Sequence, residues 1–234
     1  MRHIGFSTGA IARGDFRSAL ALIRRHNLEV VELSALRFGE LRPLVEAIGD
    51  LDLSGFRFVS IHAPSKFSPH EEPDVLRLLC PLADQGFHIV AHPDTIFNPA
   101  NWRALGDRLL IENLDKRKPV GRTVAELAQC FRALPEAQFC FDIGHARQVD
   151  PSMTEAALLL SAFHDRLAEV HMSEVNTASR HDPLSMNAVM AFSAIMAAVP
   201  EDIPIILETL IDQGQSDVQT EVRRANEVFC SAAV

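Results

Sequence analysis

The chain has 234 residues, 47% hydrophobic and 23% charged, with a formal net charge of -9 at pH 7, a length and balance suited to one globular domain over residues 1–234 with a sizeable core. The acidic total repels polyanions at long range and disfavours nucleic acid as a partner, and no apolar run reaches the ~20 residues of a membrane-spanning helix. Cys80, Cys130, Cys140 and Cys230 form no CxxC pair and the N-terminus has no basic-then-apolar leader, so a reduced, cytoplasmic protein is expected.

Taken in chain order, short β-branched or apolar runs alternate with amphipathic stretches of helical period. Strands are expected at about 2–7, 28–34, 56–62, 88–92, 108–112, 138–142, 168–171 and 203–208, with helices such as 16–25, 75–84, 124–134, 154–163, 188–198 and 218–229 between them. Strict alternation demands parallel strands joined by right-handed crossovers, and eight such units in roughly 250 residues close into a (β/α)₈ barrel. A doubly wound open sheet is the competitor, but Gly5 and Gly9 make neither GxGxxG nor GxxxxGK.

In a barrel strand every second residue points inward, and functional groups sit at the last inward position before the loop. His62 in FRFVSIHAP, His92 in HIVAHPD, Glu112 in RLLIENLD, Asp142 in QFCFDIGHA, His171 in AEVHMSE and Glu208 in PIILETL each close an apolar run. One such residue is usually satisfied by the backbone, whereas six successive strands ending this way call for cations. Three carboxylates buried at one mouth would otherwise repel and desolvate at several kcal/mol each. Glu112, Asp142, His171 and Glu208 offer one nitrogen and three carboxylates, a set suited to manganese, magnesium or zinc. His62 and His92 could join Glu112 around a second ion, because a carboxylate bridges two cations by its two oxygens.

His145 and His181, in the loop SRHDPLS, stand just beyond strand ends and can reach over the mouth, either toward substrate or further metal or as ordinary loop histidines. Glu32, ending VVEL, is a substrate contact or a satisfied rim carboxylate. Cys140, two residues before Asp142, is expected one layer below the mouth as core filling.

In this order and spacing, IHAP, AHPD, IENLD, FDIGHA, VHMSE and ILET resemble the strand-end motifs of the xylose-isomerase-like TIM barrel superfamily, which holds sugar isomerases and epimerases and the endonuclease IV family. The resemblance covers residues 28 to 210. For the isomerases it implies one metal on Glu112, Asp142, His171 and Glu208, with Glu112 and Glu208 removing and returning a proton through a metal-stabilised enediolate, and His145 orienting a sugar or sugar phosphate; His62, His92, His181 and Glu32 would then face substrate. For endonuclease IV it implies up to three zinc ions: the same four residues hold one, His62 and His92 a second shared with Glu112, and His145 and His181 two of three ligands of a third, for phosphodiester hydrolysis.

The third ion's acid would fall near Ser179, where none stands, although Asp182 is close; the chain has no tyrosine and little basic or aromatic loop material for DNA. The expectations are therefore an isomerase or epimerase acting on a small molecule, a multinuclear zinc phosphoester hydrolase close behind it, and, in a different class, a non-catalytic metal-binding barrel serving as a partner subunit. A homo-oligomer fits any of the three.

Overall fold

The computed structural model describes residues 2–12, 15–211 and 217–230. The chain begins with β1 (Ile4–Ser7), the short α1 (Thr8–Ala12), α2 (Phe16–Arg25), β2 (Val30–Ser34), α3 (Phe38–Ile48) and β3 (Phe58–His62). It continues with α4 (Glu72–Asp84), β4 (His88–Ala91), α5 (Pro99–Trp102), β5 (Leu109–Glu112), α6 (Val124–Ala133) and β6 (Gln138–Asp142). Then come α7 (Ile143–Val149), α8 (Thr154–Phe163), β7 (Leu167–Met172), the two-residue strands β8 (Glu174–Val175) and β9 (His181–Asp182), α9 (Met186–Met196), β10 (Ile205–Leu207) and α10 (Val218–Cys230).

Eight strands close on themselves in the order β1-β10-β7-β6-β5-β4-β3-β2, all parallel, as the expected (β/α)₈ TIM barrel. Each expected strand is present. Departures from strict alternation lie at the C-terminal mouth, where α7 and the antiparallel β8–β9 hairpin follow strand ends directly. The helices form through ordinary amphipathic patterning: α2 turns Ala19, Leu20 and Ile23 onto the barrel, is capped by Asp15 accepting from Ser18 N at 3.0 Å, and carries Arg24 and Arg25 at its negative end. Each such Leu or Ile contributes about 1.5–3 kcal/mol on burial.

Alternation inside the barrel stacks side chains in layers. Val90, Leu110 and Cys140, with Ala168, form a small apolar cluster of their own, separate from the core between strands and helices. Two residues further along β5, β6 and β7 the same inward parity delivers Glu112, Asp142 and, beyond Glu169, His171. Cys140 thus lies beneath the mouth as core filling, as its parity predicts.

Candidate metal centre

Strand register brings the six strand-end residues together. His62 Nε2 and His92 Nε2 stand 3.2 and 3.0 Å from Glu112 Oε2, while His145 Nδ1 and His171 Nδ1 stand 3.3 and 3.5 Å from Oε1. His171 Nδ1 is also 3.5 Å from Glu208 Oε1, and His181 Nδ1 is 3.4 Å from Glu208 Oε2. Four groups, each with ligand atoms within 4.8 Å of one another, therefore adjoin: His62, His92 and Glu112; Glu112, Asp142, His171 and Glu208; Asp142, His145 and His181; and Glu32, Glu169 and His171. Glu112 links the first two, Asp142 the second and third, and His171 the second and fourth.

Local structure explains how FDIGHA builds its share. Asp142 ends β6 and is the N-cap of α7: its Oδ1 accepts from His145 N at 2.6 Å, which fixes His145 in the first helical turn and leaves Oδ2 to face the site. Gly144 lies between them because a Cβ there would collide with the Ser173 carbonyl oxygen at the foot of the hairpin. That hairpin carries His181 back over the mouth, where its Nδ1 meets Ser173 Oγ at 2.8 Å.

The donor set fits divalent cations on an observation independent of residue type. Asp142 Oδ2, His171 Nδ1 and Glu208 Oε2 are buried with no hydrogen-bond partner, and all three belong to the four-residue group. Buried polar atoms are normally paired, so three orphans within one four-residue group suit a cation. The protons of the cluster tell the same story. Burial opposes charge on His62 and His145, but Glu32 and Glu112 around the first and Asp142 and Glu112 around the second outweigh it, holding them at about 9 and about 10. Burial pushes Glu208 up to about 8. His181, partly buried and beside the positive His145, falls to about 3, and burial lowers His92 also, so both imidazoles are neutral and ready to donate a lone pair.

Glu32, expected as a substrate contact or rim carboxylate, is 0% exposed inside the barrel, with Oε2 3.2 Å from His171 Nε2 on the side facing away from Glu112 and Glu208. Its strand places it there: Glu32 pairs with Ser60 in the middle of β3, a full layer below His62. Two further residues are not among those expected from the sequence. Glu169, also 0% exposed, lies 3.3 Å from the same nitrogen and accepts from Ser60 Oγ at 2.9 Å. Asn113 clamps the end of β6 by accepting from Asp142 N at 2.8 Å and donating to Asp142 O at 2.7 Å. Period-two parity would have found Glu169; nothing in the sequence singles out Asn113. Ser179, at the position where the third acid was sought, has φ 51° and donates to Asp115 Oδ1 at 2.6 Å, while Asp182 is turned to Asn176 at 2.8 Å.

No protein-family model matches the chain, and no curated protein matches it. Solved structures do. Endonuclease IV from Thermus thermophilus superposes with a TM-score of 0.63 at 20% identity, covering 99% of this chain and 100% of that one. A xylose isomerase-like TIM barrel protein from Mycobacterium smegmatis, in complex with magnesium, gives 0.58 at 12% identity over 94% and 90%. The fold these structures share with the chain is the (β/α)₈ barrel. Yersinia pestis dihydropteroate synthase also reaches 0.53 at 15% identity over 99% and 92%, so likeness of this order speaks for the barrel and leaves the reaction to the site. Among the described residues no helix is long and apolar enough to cross a membrane.

Proposed function

We propose that the chain is a divalent-metal-dependent hydrolase of small phosphate esters whose two principal ions share Glu112. The observation that carries this reading is the pair of imidazoles on one carboxylate oxygen, His62 and His92 at 3.2 and 3.0 Å from Glu112 Oε2. A one-ion isomerase needs no pair of imidazoles there, whereas a carboxylate flanked by two further nitrogen donors suits a second site. Glu112, Asp142, His171 and Glu208 would hold the first ion, and Glu112, His62 and His92 the second. Bound there, the ions would supply Lewis acidity to a phosphoryl oxygen and acidify water.

The chain's own groups divide the remaining work by exposure. Glu208, 15% exposed, is the most open carboxylate of the four-residue group, and it would accept a proton from the attacking water. His145, held positive by Asp142 and Glu112, stands with its ring 5.3 Å from that of His181, and together they would orient an anionic substrate oxygen. Exposed Lys116 and Arg180 in the mouth loops suit a small anion.

Proton transfer between two glutamates, the leading expectation from the resemblance, requires Glu112 and Glu208 both to face a substrate carbon. Glu112 is 1% exposed and four imidazoles cover its two oxygens, which argues against it as a proton carrier. The isomerase reading keeps one supporting feature: the third cluster lacks an acid at Ser179, which weakens the analogy with a three-ion nuclease.

The deciding experiment counts metals per chain in protein purified without added metal, with anomalous scattering to place each ion, and then assays p-nitrophenyl phosphate and bis(p-nitrophenyl) phosphate alongside solvent deuterium exchange into sugars. Two or more ions with His62 and His92 as ligands and hydrolysis of either ester is the expected result. A single ion on the four-residue group with deuterium entering a sugar carbon would replace the hydrolase by the isomerase. Full metal loading with neither activity would favour a binding subunit.

A further inference from the structure

Beneath the metal centre the barrel interior holds two carboxylates that the proposed reaction does not use. Glu32 on β2 and Glu169 on β7 are both 0% exposed, and both approach His171 Nε2, at 3.2 Å from Glu32 Oε2 and 3.3 Å from Glu169 Oε1. Serines fix them: Ser60 donates to Glu169 Oε1 at 2.9 Å, and Ser34, itself 2.5 Å from Ser7 Oγ, donates to Glu32 Oε1 at 3.1 Å. On the opposite edge of the ring, His171 Nδ1 faces Glu112 and Glu208 at 3.5 Å each and has no hydrogen-bond partner. The imidazole thus stands between two carboxylates below and two above, and the two edges differ in kind: only the lower one carries a hydrogen bond.

Packing alone does not explain the lower pair. The neighbouring interior cluster is apolar, formed by Val90, Leu110 and Cys140, and apolar side chains at 32 and 169 would avoid the several kcal/mol that each buried carboxylate costs. Nor are these acids satisfied as structural acids are, since Glu32 Oε2 and Glu169 Oε2 have no hydrogen-bond partner. A neutral imidazole has one N–H and one lone pair. A carboxylate accepting the Nε2 hydrogen turns the Nδ1 lone pair toward the mouth, fixes the ring plane and strengthens the donor.

We propose that Glu169 and Glu32 are positioning residues that hold His171 as an Nδ1 donor and raise the affinity of the centre for a divalent ion. Glu169 is the principal one, because its Oε1 makes a hydrogen bond with Nε2, whereas Glu32 Oε2 approaches without one. This inference rests on the reading of the four-residue group as a metal site, and it adds a determinant of affinity outside that group.

The test is a competition titration of Zn²⁺ against a chromophoric chelator for the wild type, Glu169→Gln and Glu32→Gln, with melting temperatures of the metal-free proteins and ¹⁵N correlation spectra of the histidines in the zinc-loaded wild type. Glu169→Gln should bind zinc about 10–100-fold more weakly, the range for partners behind a metal ligand, and Glu32→Gln less so, while neither metal-free protein melts lower. His171 should carry its proton on Nε2. A merely structural role would lower melting and leave affinity unchanged. Zinc affinity within twofold of wild type in both variants, or a proton on Nδ1, overturns the inference alone; a wild type that takes up no divalent ion overturns the proposed function and this inference with it. Should either variant fail to fold, the wild-type spectra decide.

Discussion

Two regions of the molecule take carboxylates out of solvent and treat them in opposite ways. In the helical shell, Glu72 on α4, 3% exposed, accepts from Phe97 N, Asn98 N and Trp102 Nε1 at 2.7, 3.0 and 2.8 Å, so that one oxygen ties α5 and the segment before it together. Glu221 on α10 accepts from Leu184 N and Thr209 Oγ1 at 3.0 and 2.9 Å. At the mouth, Asp142 and Glu208 keep an oxygen that nothing donates to. Burial therefore does not separate structural acids from functional ones; saturation does. A shell acid has backbone, hydroxyl, indole or guanidinium donors aimed at it, whereas a mouth acid faces other acids and imidazoles.

The comparison breaks most visibly at Glu112. Glu112→Gln keeps the volume but removes the charge that two clusters share, so zinc affinity should fall by at least about a hundredfold, beyond what loss of an outer partner costs, with hydrolysis lost in parallel and the metal-free melting temperature little changed. Calorimetric titration beside thermal denaturation checks both halves. The shell acid should behave in the reverse manner. Glu72→Ala strands three donors, at ~1–3 kcal/mol each when buried and unpaired, and should lower stability by about 3 kcal/mol, or about 6–12 °C in a chain of this size, without altering zinc affinity. A Glu72 variant that lost metal as readily as stability would dissolve the distinction.

That distinction also explains what can be read from the sequence. The six strand-end residues are legible because period two and an apolar run fix both direction and depth: His62, His92, Glu112, Asp142, His171 and Glu208 each close their run. The same rule applied one step earlier on AEVHMSE gives Glu169, but a lone acid inside a short strand reads equally well as a solvated face, and only the closed barrel shows that this face is interior. Glu32 is followed by Leu33 and Ser34 in its own strand, and it is Ser34 that stands level with His62, so Glu32 lies one layer lower. Helix α3 is missing from the stretches expected to be helical: Pro43 sits within it and removes a backbone donor. The β8–β9 hairpin is too short for any periodicity, so the sequence places His181 near the mouth but not beside Glu208.

Protonation sharpens the comparison by a smaller effect. Without metal, His62 and His145 titrate at about 9 and about 10 against 6.5 for a free imidazole, and Glu208 at about 8 against 4.5. Between pH 7 and 10 the folded chain therefore holds protons that the unfolded chain has released, and stability falls as pH rises through this window. The groups with lowered values, Glu112, His92 and His181, finish titrating below it. The metal-free protein should melt a few degrees lower at pH 9.5 than at pH 7, the zinc-loaded protein should lose that slope, and zinc uptake at pH 7 should release protons measurable with an indicator dye. A metal-free melting temperature that rises over the same range would contradict the charge pattern assigned to the mouth.

The smallest effect is expected at Ser179, where the third cluster lacks an acid of its own. Ser179→Asp places a carboxylate on a residue at φ 51°, a conformation that aspartate tolerates better than most side chains. Two terms oppose each other. The new acid exchanges the 2.6 Å hydrogen bond to Asp115 for a like-charge contact, which disfavours the loop, whereas His145, His181 and Asp142 already form a group that one more carboxylate would complete. If the orphaned Asp142 Oδ2 serves the first ion, the added acid should raise affinity for a further ion by less than about tenfold, visible as an additional weak step in a zinc titration and suppressed by His181→Asn. An unchanged titration would mean that His145 and His181 act on the substrate rather than on a metal, which would leave Glu112, among the described residues, as the carboxylate placed between two candidate metal groups.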